Sequence, residues 1–247
     1  EGSNLVLNHD YADLGSELVT NGSFDTDSNW TFAGTNGAVS NGVGVFADTT
    51  NSFIIQSSVV PASVKQYKLQ YEVIESNGGV SFGLSGGSSA FGSVSLTNSV
   101  GVHTKFITSN GSKTNLQFHN GGNFIGKIDN ISLKQVDPND RWALDSGWSI
   151  EDGKLKATST ALEATQTNVF TTGNTYEVTF TIDSIASGSV KVKAGTTSGS
   201  IRSSAGTYTQ VFDVLFGSSL VFDMHASGSC VIDNVTVKEY AVQPKDI

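Results

Sequence analysis

Alternation of apolar and polar side chains is the clearest pattern in the chain. Residues 67–73 have the sequence YKLQYEV, with an apolar side chain at every second position. Residues 176–182 have the sequence YEVTFTI and repeat that alternation. A period of two places the apolar set on one face of a β-strand. Each stretch therefore predicts a strand with one buried and one solvated face, and no stretch sustains the spacing of an amphipathic helix.

A second pattern is the recurrence of one short strand. The stretches KIDNISLKQV at 127–136 and VIDNVTVKEY at 231–240 share Ile-Asp-Asn, and Asp129 and Asp233 are 104 positions apart. This interval exceeds the ~20–50 residues of solenoid repeats and matches the ~100–150 residues of one globular domain. The recurrence predicts two homologous domains, each closed by this strand.

The predicted boundary between the copies is Asp137-Pro-Asn-Asp140, because Pro cannot donate to a central ladder and Asn and Asp favour turns. We predict a lead segment at 1–16, a first domain at 17–137 and a second domain at 138–247. Near the start of each copy, Trp30 is paired with Trp148 by its local sequence.

Composition favours many short strands joined by turns. Apolar residues make up 37% and charged residues 15% of the 247 residues, and 27 residues are Gly. Gly and Asn supply the positive φ angles that tight hairpins need. The predicted fold class is all-β, with two tandem jelly-roll β-sandwich domains.

Charge and hydropathy exclude two classes of partner. With 14 basic and 23 acidic side chains the net charge is −9, so a phosphate backbone is repelled and nucleic acid is not expected as a partner. No run of ~18 apolar residues is present, so membrane insertion by a helix is not expected. Cys230 is the only cysteine, so no intramolecular disulfide can form, and it is expected to face a core.

Catalytic motifs are weak in this sequence. Gly83-Leu-Ser85-Gly-Gly87 matches the G-x-S-x-G nucleophile elbow, but that motif needs a strand-to-helix turn and no helical pattern follows it. The four histidines have no metal-type spacing. We therefore expect no enzymatic activity.

Sugar binding needs only exposed aromatic rings and polar side chains that hydrogen-bond hydroxyl groups. The first copy has more Asn-Gly turns and longer loops, and binding sites concentrate on loops. The predicted sugar contacts are Trp30, Phe46, Phe53 and Phe91. For Trp30, core packing is the competing interpretation because Trp148 matches it.

The stretch from Leu18 to Asp25 (LVTNGSFD), the following Trp30 and the closing stretch from Ile128 to Leu133 (IDNISL) together resemble carbohydrate-binding modules of families 4 and 9. These modules have a galactose-binding-like jelly roll, and similar tandem domains occur in phage tail fibres and virion surface proteins. The resemblance implies a structural calcium held by Asp25 and Asp129. In the second copy Ala143 stands where the first acid is expected, so the resemblance implies calcium in the first domain only.

Two functions follow as hypotheses. The first is a non-catalytic glycan-binding or surface-adhesion protein, located on a virion surface or extracellular, whose partner is a polysaccharide or cell-surface glycan. The alternative is a purely structural virion or filament subunit that contacts other subunits through its jelly rolls. Exposed aromatics on one sheet favour the first hypothesis, and large apolar patches favour the second.

Overall fold

The computed structural model describes residues 4–9, 13–34, 37–79 and 81–240. In that part of the chain all long regular elements are β-strands, and no helix is long and apolar enough to cross a membrane. Two compact units form: a first unit of residues 14–136, and a second unit of residues 137–240 with 4–9 and Asp13. The predicted fold class, all-β with two tandem jelly-roll β-sandwich domains, is confirmed.

The strands are numbered in chain order. The lead strand is β1 (Asn4–His9), and those of the first unit are β2 (Leu14–Glu17), β3 (Thr31–Ala33), β4 (Gly37–Ser40), β5 (Val43–Phe46), β6 (Phe53–Gln56), β7 (Gln66–Ser76), β8 (Gly83–Leu84), β9 (Val94–Ser95), β10 (Gly101–Thr108), β11 (Leu116–His119) and β12 (Gly126–Val136). Those that follow are β13 (Trp142–Leu144), β14 (Trp148–Glu151), β15 (Lys154–Thr160), β16 (Glu163–Gln166), β17 (Thr175–Ala194), β18 (Thr197–Ser198), β19 (Gly206–Asp213) and β20 (Leu220–Tyr240).

Two antiparallel sheets form the first unit. One has the order β10-β7-β12-β5-β4, with β2 also paired to β12, and the other has the order β3-β6-β11-β8-β9. The four alternating apolar side chains of β7 are fully buried, as their pattern predicts: Tyr67, Leu69, Tyr71 and Val73. Tyr71 contacts Phe118 of the opposite sheet with ring centroids 6.4 Å apart, so the core lies between the two sheets.

One nine-stranded sheet forms the second unit and folds back on itself. β17 and β20 pair along their lengths from Thr175 opposite Tyr240 to Ala194 opposite Leu220, with several register shifts between. Rings from the two ends of this long pair, Phe180 and Phe222, lie 5.4 Å apart. The two halves of the sheet therefore face each other as the layers of a sandwich.

The two units have the same strand order. β10, β7, β12, β5 and β4 correspond to β19, the first half of β17, the second half of β20, β15 and β14. β9, β8, β11, β6 and β3 correspond to β18, the second half of β17, the first half of β20, β16 and β13. Because the pairings are matched, each residue in these paired stretches has a defined counterpart in the other unit.

The predicted lead segment 1–16 divides between the two units. β1 pairs with the end of β20, with Leu5 opposite Lys238, and β2 pairs with the end of β12, with Glu17 opposite Lys134. Residues 1–3 and 10–12 lie outside the described residues. The domain limits 17–137 and 138–247 stay predictions.

The recurring Ile-Asp-Asn motif is a β-bulge in the closing strand. In β12, Asp129 opposes Glu72 whereas Ser132 opposes Gln70, so β12 carries one more residue than β7 over this interval. Asn130 has a φ of 50°, a left-handed conformation that Asn tolerates better than most residues. Its backbone N–H donates to Asp129 Oδ1 at 2.7 Å.

The second unit repeats this bulge in full. Asp233 opposes Thr181 and Thr236 opposes Thr179. Asn234 has a φ of 51° and donates its N–H to Asp233 Oδ1 at 2.7 Å. The motif recurs because both closing strands need the same acceptor and the same left-handed residue at the bulge.

The strand register corrects the pairing of Trp30 with Trp148. Trp142 opposes Gln166, and Trp30, one residue before β3, continues the register of β3 onto the matching Gln56. Trp30 therefore corresponds to Trp142. The same register places Ala143 at the position of Thr31, which corrects its predicted match with Asp25. The stretches around Trp30 and Trp148 resemble each other only because each has a Trp close to a turn.

Trp148 instead corresponds to a glycine. Gly37 opposes Phe46 in β4 and β5, and Trp148 opposes Ala157 in β14 and β15. Each pair combines one large and one small side chain, in opposite order. At this pair of positions each unit therefore has one large side chain in its core, as close packing of the interior requires.

We predict that Trp148→Gly lowers the free energy of unfolding by about 3–5 kcal/mol, because a buried aromatic side chain is lost and a cavity remains. Adding Ala157→Phe reproduces the pair of the first unit and is expected to restore part of that loss. Urea unfolding curves of the single and double variants measure both quantities. A double variant less stable than Trp148→Gly would contradict the shared packing.

Candidate functional site

The outer face of the five-stranded sheet in the first unit carries the candidate site. Ala33 opposes Phe53, Phe53 opposes His119, His119 opposes Gly83, and Gly83 opposes Ser95. These five residues form a row across adjacent strands, which lie about 4.8 Å apart. Phe53 and His119 are half-buried, so the row presents an aromatic centre with small residues on either side.

His119 is held in place by three neighbours. Its ring stacks on Phe53 with centroids 4.4 Å apart and an interplanar angle of 12°. Ser85 Oγ lies 2.7 Å from its Nδ1, and Asn51 Oδ1 lies 3.3 Å from its Nε2. Burial lowers the pKa of His119, which favours the neutral ring. The network assigns the tautomer in which Nε2–H donates to Asn51 and Nδ1 accepts from Ser85.

A shallow pocket of about 280 Å³ and another of about 220 Å³ open on the first unit. The second lies beside His119, and its polar lining consists of hydroxyl and imidazole groups: Ser81, Ser85, Ser93, Ser95 and His119. None of the residues lining it is charged. The pocket therefore offers neutral hydrogen-bond donors and acceptors next to a stacked pair of rings.

The four aromatic residues predicted to contact sugar divide into two groups. Trp30, Phe46 and Phe91 are at most 5% exposed, so their rings are not available for stacking on a ligand, which corrects the prediction for these three. Trp30 packs on Phe24 at 5.0 Å, consistent with the competing interpretation of core packing. Phe53 is the member of the group that lies on the outer face.

Sequence reasoning missed the partners of Phe53. The local sequence presents Ser85 as part of a nucleophile-elbow motif and His119 as a histidine without metal-type spacing. The alternation of β6 places Phe53 on the face opposite buried Ile54, and the same argument places His119 opposite buried Phe118. Their adjacency depends on strand pairing across 66 residues, which no local pattern contains.

The same face in the second unit is chemically different. The strand register matches the four residues at the site with four charged residues, in the order Phe53 with Glu163, His119 with Asp223, Gly83 with Lys191, and Ser85 with Lys193. This set of positions is called the face quartet below.

In the second unit the face quartet forms a network of ion pairs. Lys193 Nζ lies 2.5 Å from Glu163 Oε1 and 2.7 Å from Asp223 Oδ2, and Lys191 Nζ lies 3.3 Å from Asp223 Oδ2. Burial opposes ionisation of Asp223, but hydrogen bonds and charge from both lysines outweigh it and lower its pKa. These polar groups satisfy one another, whereas those of the first unit face an open pocket.

The predicted metal ligands lie where the start of the first unit meets its closing strand. The N–H of Leu18 donates to Leu133 O at 3.0 Å, and the N–H of Ile131 donates to Gly22 O at 2.9 Å. Burial raises the pKa of Asp129, and the negative charges of Glu72 and Asp25 raise it further. Ser23 Oγ donates to Asp25 Oδ2 at 2.7 Å.

The counterpart of Asp129 in the second unit has a cationic partner. Lys154 Nζ lies 2.9 Å from Asp233 Oδ2 and also contacts Asp183. The hydrogen bonds with Asp183 and Asp233 raise the pKa of Lys154. In the first unit the register places Val43 at the position of Lys154, so Asp129 receives no ammonium group from this strand position.

The carboxylates at Asp25 and Asp129 are the oxygen donors that calcium prefers. Across residues 4–9, 13–34, 37–79 and 81–240, no three His, Cys, Asp or Glu side chains are grouped to hold a metal ion. A calcium ion at Asp25 and Asp129 would therefore take its other ligands from amide, hydroxyl or backbone carbonyl oxygens or from water.

No protein-family model and no curated protein matches the chain. Among solved structures, the N-terminal CBM22-1-CBM22-2 tandem domain of Paenibacillus barcinonensis Xyn10C is similar at 10% identity and a TM-score of 0.30, covering 97% of this chain and 99% of that one. A Paenibacillus xanthan lyase is similar at 13% identity and a TM-score of 0.28, covering 97% of this chain and 27% of that one. Allantoicase from Saccharomyces cerevisiae is similar at 10% identity and a TM-score of 0.26, covering 97% and 90%.

Proposed function

We propose that the chain is a non-catalytic glycan-binding or surface-adhesion protein and that its first unit binds sugar through the outer face around Phe53 and His119. The observation that carries this proposal is the face quartet. In the second unit these four positions form ion pairs with one another. In the first unit they are uncharged and place two stacked rings beside a pocket.

The chemistry of this face suits a neutral sugar. The C–H face of a sugar ring packs against a flat aromatic surface, and the Phe53–His119 stack is the half-exposed aromatic surface of this sheet. Sugar hydroxyls both donate and accept, and Ser85, Asn51 and the neutral imidazole of His119 can do the same. A small number of placed polar groups beside an aromatic surface is typical of ligand sites.

Ser85 and His119 also have the separation of a nucleophile and its base. The elbow motif, however, requires a strand that leads into a helix, and Ser85 follows β8 and precedes turns and an isolated bridge at residues 86–89. This context supports the proposal of a binding site over that of a hydrolase.

The proposed setting is a virion surface, such as a phage tail fibre, or an extracellular multidomain protein, with a polysaccharide or cell-surface glycan as the partner. This part of the proposal rests on the resemblance of the sequence motifs to carbohydrate-binding modules. The second candidate function is a structural virion or filament subunit. It is favoured by Leu215 and Phe216, which are 66% and 69% exposed in the loop between β19 and β20.

In the first unit we further propose a structural calcium ion at Asp25 and Asp129. The comparison of the two copies supports it: Lys154 neutralises the bulge aspartate of the second unit, whereas the carboxylate charges of Asp25 and Glu72 act on Asp129 in the first. A hard divalent cation would supply the missing positive charge and link the start of the first unit to its closing strand.

To test sugar binding, we predict that Phe53→Ala weakens the affinity for a glycan identified on an array by about 5–10-fold, because an aromatic contact worth ~1 kcal/mol is lost. Glu163→Ala changes the matching position of the second unit and is expected to leave the affinity unchanged. Isothermal titration calorimetry with each variant measures both.

Equal binding by Phe53→Ala and the wild type would contradict the assignment of the site, as would loss of binding in Glu163→Ala. A wild-type chain that binds no glycan on the array and self-associates through Leu215 and Phe216 would replace the proposal with the structural-subunit function.

To test the calcium site, we predict that calcium at 100 times its Kd raises the free energy of unfolding by about 2.7 kcal/mol and that Val43→Lys abolishes this effect by supplying an ammonium group at the position of Lys154. Val64→Lys is the matched control, because it adds the same charge at a loop position that is 66% exposed. Thermal unfolding in calcium and in chelator measures the effect.

The calcium proposal fails if Asp25→Ala and Asp129→Ala leave Tm unchanged in both calcium and chelator. It also fails if Val43→Lys responds to calcium as strongly as Val64→Lys does.

A further inference from the structure

A groove of about 490 Å³ lies at the edge of the second unit, between the segment 197–202 and the edge strand β19. Its lining is rich in hydroxyl groups, from Thr197, Ser198, Ser200 and Thr209, and it contains one charged residue, Arg202. The groove belongs to a different unit from the Phe53–His119 face, so its ligand does not depend on sugar binding at that face.

Arg202 has no acidic partner among the residues that the structure describes. Its guanidinium lies over the ring of Tyr208, 4.5 Å from the centroid, and its buried Nε has no acceptor. Arg141, the other arginine of the sequence, has carboxylate partners: its Nε lies 3.0 Å from Asp137 Oδ1, and it also pairs with Asp13. The residues that line the groove include no acidic side chain that could pair with Arg202.

A second donor in the groove is also without a partner. Gln210 Oε1 accepts a hydrogen bond from the N–H of Ser200 at 2.8 Å, which fixes the amide plane. The Nε2 of Gln210 is buried and has no acceptor. A buried donor left unpaired is destabilising, and an incoming acceptor removes that penalty.

The corresponding edge of the first unit is closed. The register matches Gln210 with Lys105 and Tyr208 with His103. Lys105 Nζ donates to Ser95 O at 2.9 Å, and His103 Nε2 lies 2.6 Å from Ser99 O. Lys105 and His103 of the first unit therefore have backbone acceptors. In the second unit the hydroxyl of Tyr208 also donates to a backbone carbonyl, that of Ser204. The difference between the matched positions is the unpaired Nε2 of Gln210.

We propose that this groove binds the carboxylate of an acidic saccharide, with Arg202 as the charged contact and Gln210 as a neutral donor. A planar guanidinium matches the two oxygens of a carboxylate. The hydroxyl-rich lining favours a sugar backbone over an apolar or peptide ligand, because each lining hydroxyl can exchange hydrogen bonds with the hydroxyls of a pyranose.

The test uses the full chain and a short oligomer of galacturonic acid, because a long polyanion would be repelled by the net charge of −9. Titration calorimetry at low salt is expected to show binding that weakens as salt is added. Arg202→Gln is expected to weaken it about tenfold, since a charge-assisted hydrogen bond is lost. Lys113→Gln makes the same charge change at an exposed position of the first unit and is expected to have no effect.

Two further probes identify the ligand group. The methyl-esterified oligomer keeps the sugar backbone and lacks the charge, and it is expected not to bind. Arg202→Lys keeps the charge and loses the planar fork, so its affinity is expected to lie between those of the wild type and Arg202→Gln. Thermal unfolding of each variant verifies that the second unit remains folded.

The proposal is overturned if the wild type does not bind the acidic oligomer, or if Arg202→Gln and Lys113→Gln bind it equally well. Equal binding of the esterified oligomer would contradict recognition of the carboxylate by Arg202. Tighter binding of a sulfated oligosaccharide would show that the groove does not select a carboxylate. Equal binding of oligoglutamate would show that the groove does not select a saccharide.

Discussion

The bulge in the closing strand is the constraint on which both units depend. β12 lies between β7 and β5, and β20 lies between β17 and β15, so each closing strand is central in its layer. Ile128 and Ile131 are both buried although they are three positions apart. Strict alternation would turn one of them to solvent, and the left-handed Asn130 absorbs the extra residue. The acceptor at Asp129 and the left-handed Asn130 therefore stabilise the bulge that lets both isoleucines face the core.

Much of the fold was predictable because its information is local. The alternation at Tyr67–Val73 gives the buried face of β7 directly, and the repeated Ile-Asp-Asn motif gives the duplication. The pairing of Trp30 with Trp148 was wrong because the two units keep the combined volume of a residue pair and not the residue types. Trp148 and Ala157 occupy the positions that Gly37 and Phe46 occupy in the first unit. A sequence comparison that matches residue types cannot recognise an exchange of sizes across a strand pair.

The candidate site was less predictable, since burial of an aromatic ring depends on which layer covers it. Phe46 lies beside a polar turn, yet its ring packs against Phe124 with centroids 5.9 Å apart. Phe53, on the other side of that turn, is half-buried on the outer face. Its partners Ser85 and His119 come from β-strand neighbours that are remote in sequence, so their convergence is a property of the sheet order.

The two copies offer an internal comparison, since one fold carries different chemistry at matched positions. The face quartet is neutral in the first unit and charged in the second. At the edge, Lys105 of the first unit has a backbone acceptor, whereas the matching Gln210 of the second unit has a buried nitrogen without one. Arg202, in the same groove as Gln210, also has a buried nitrogen without an acceptor. The two copies therefore share the bulged sandwich and differ in the polar groups that each leaves without a partner.

The most direct test of this account is an amide NMR titration of the full chain with a neutral glycan. We expect chemical-shift changes to cluster at the Phe53–His119 face and to be absent at the face quartet of the second unit. Shift changes centred on Lys191, Lys193 and Asp223, or distributed evenly over both units, would contradict it.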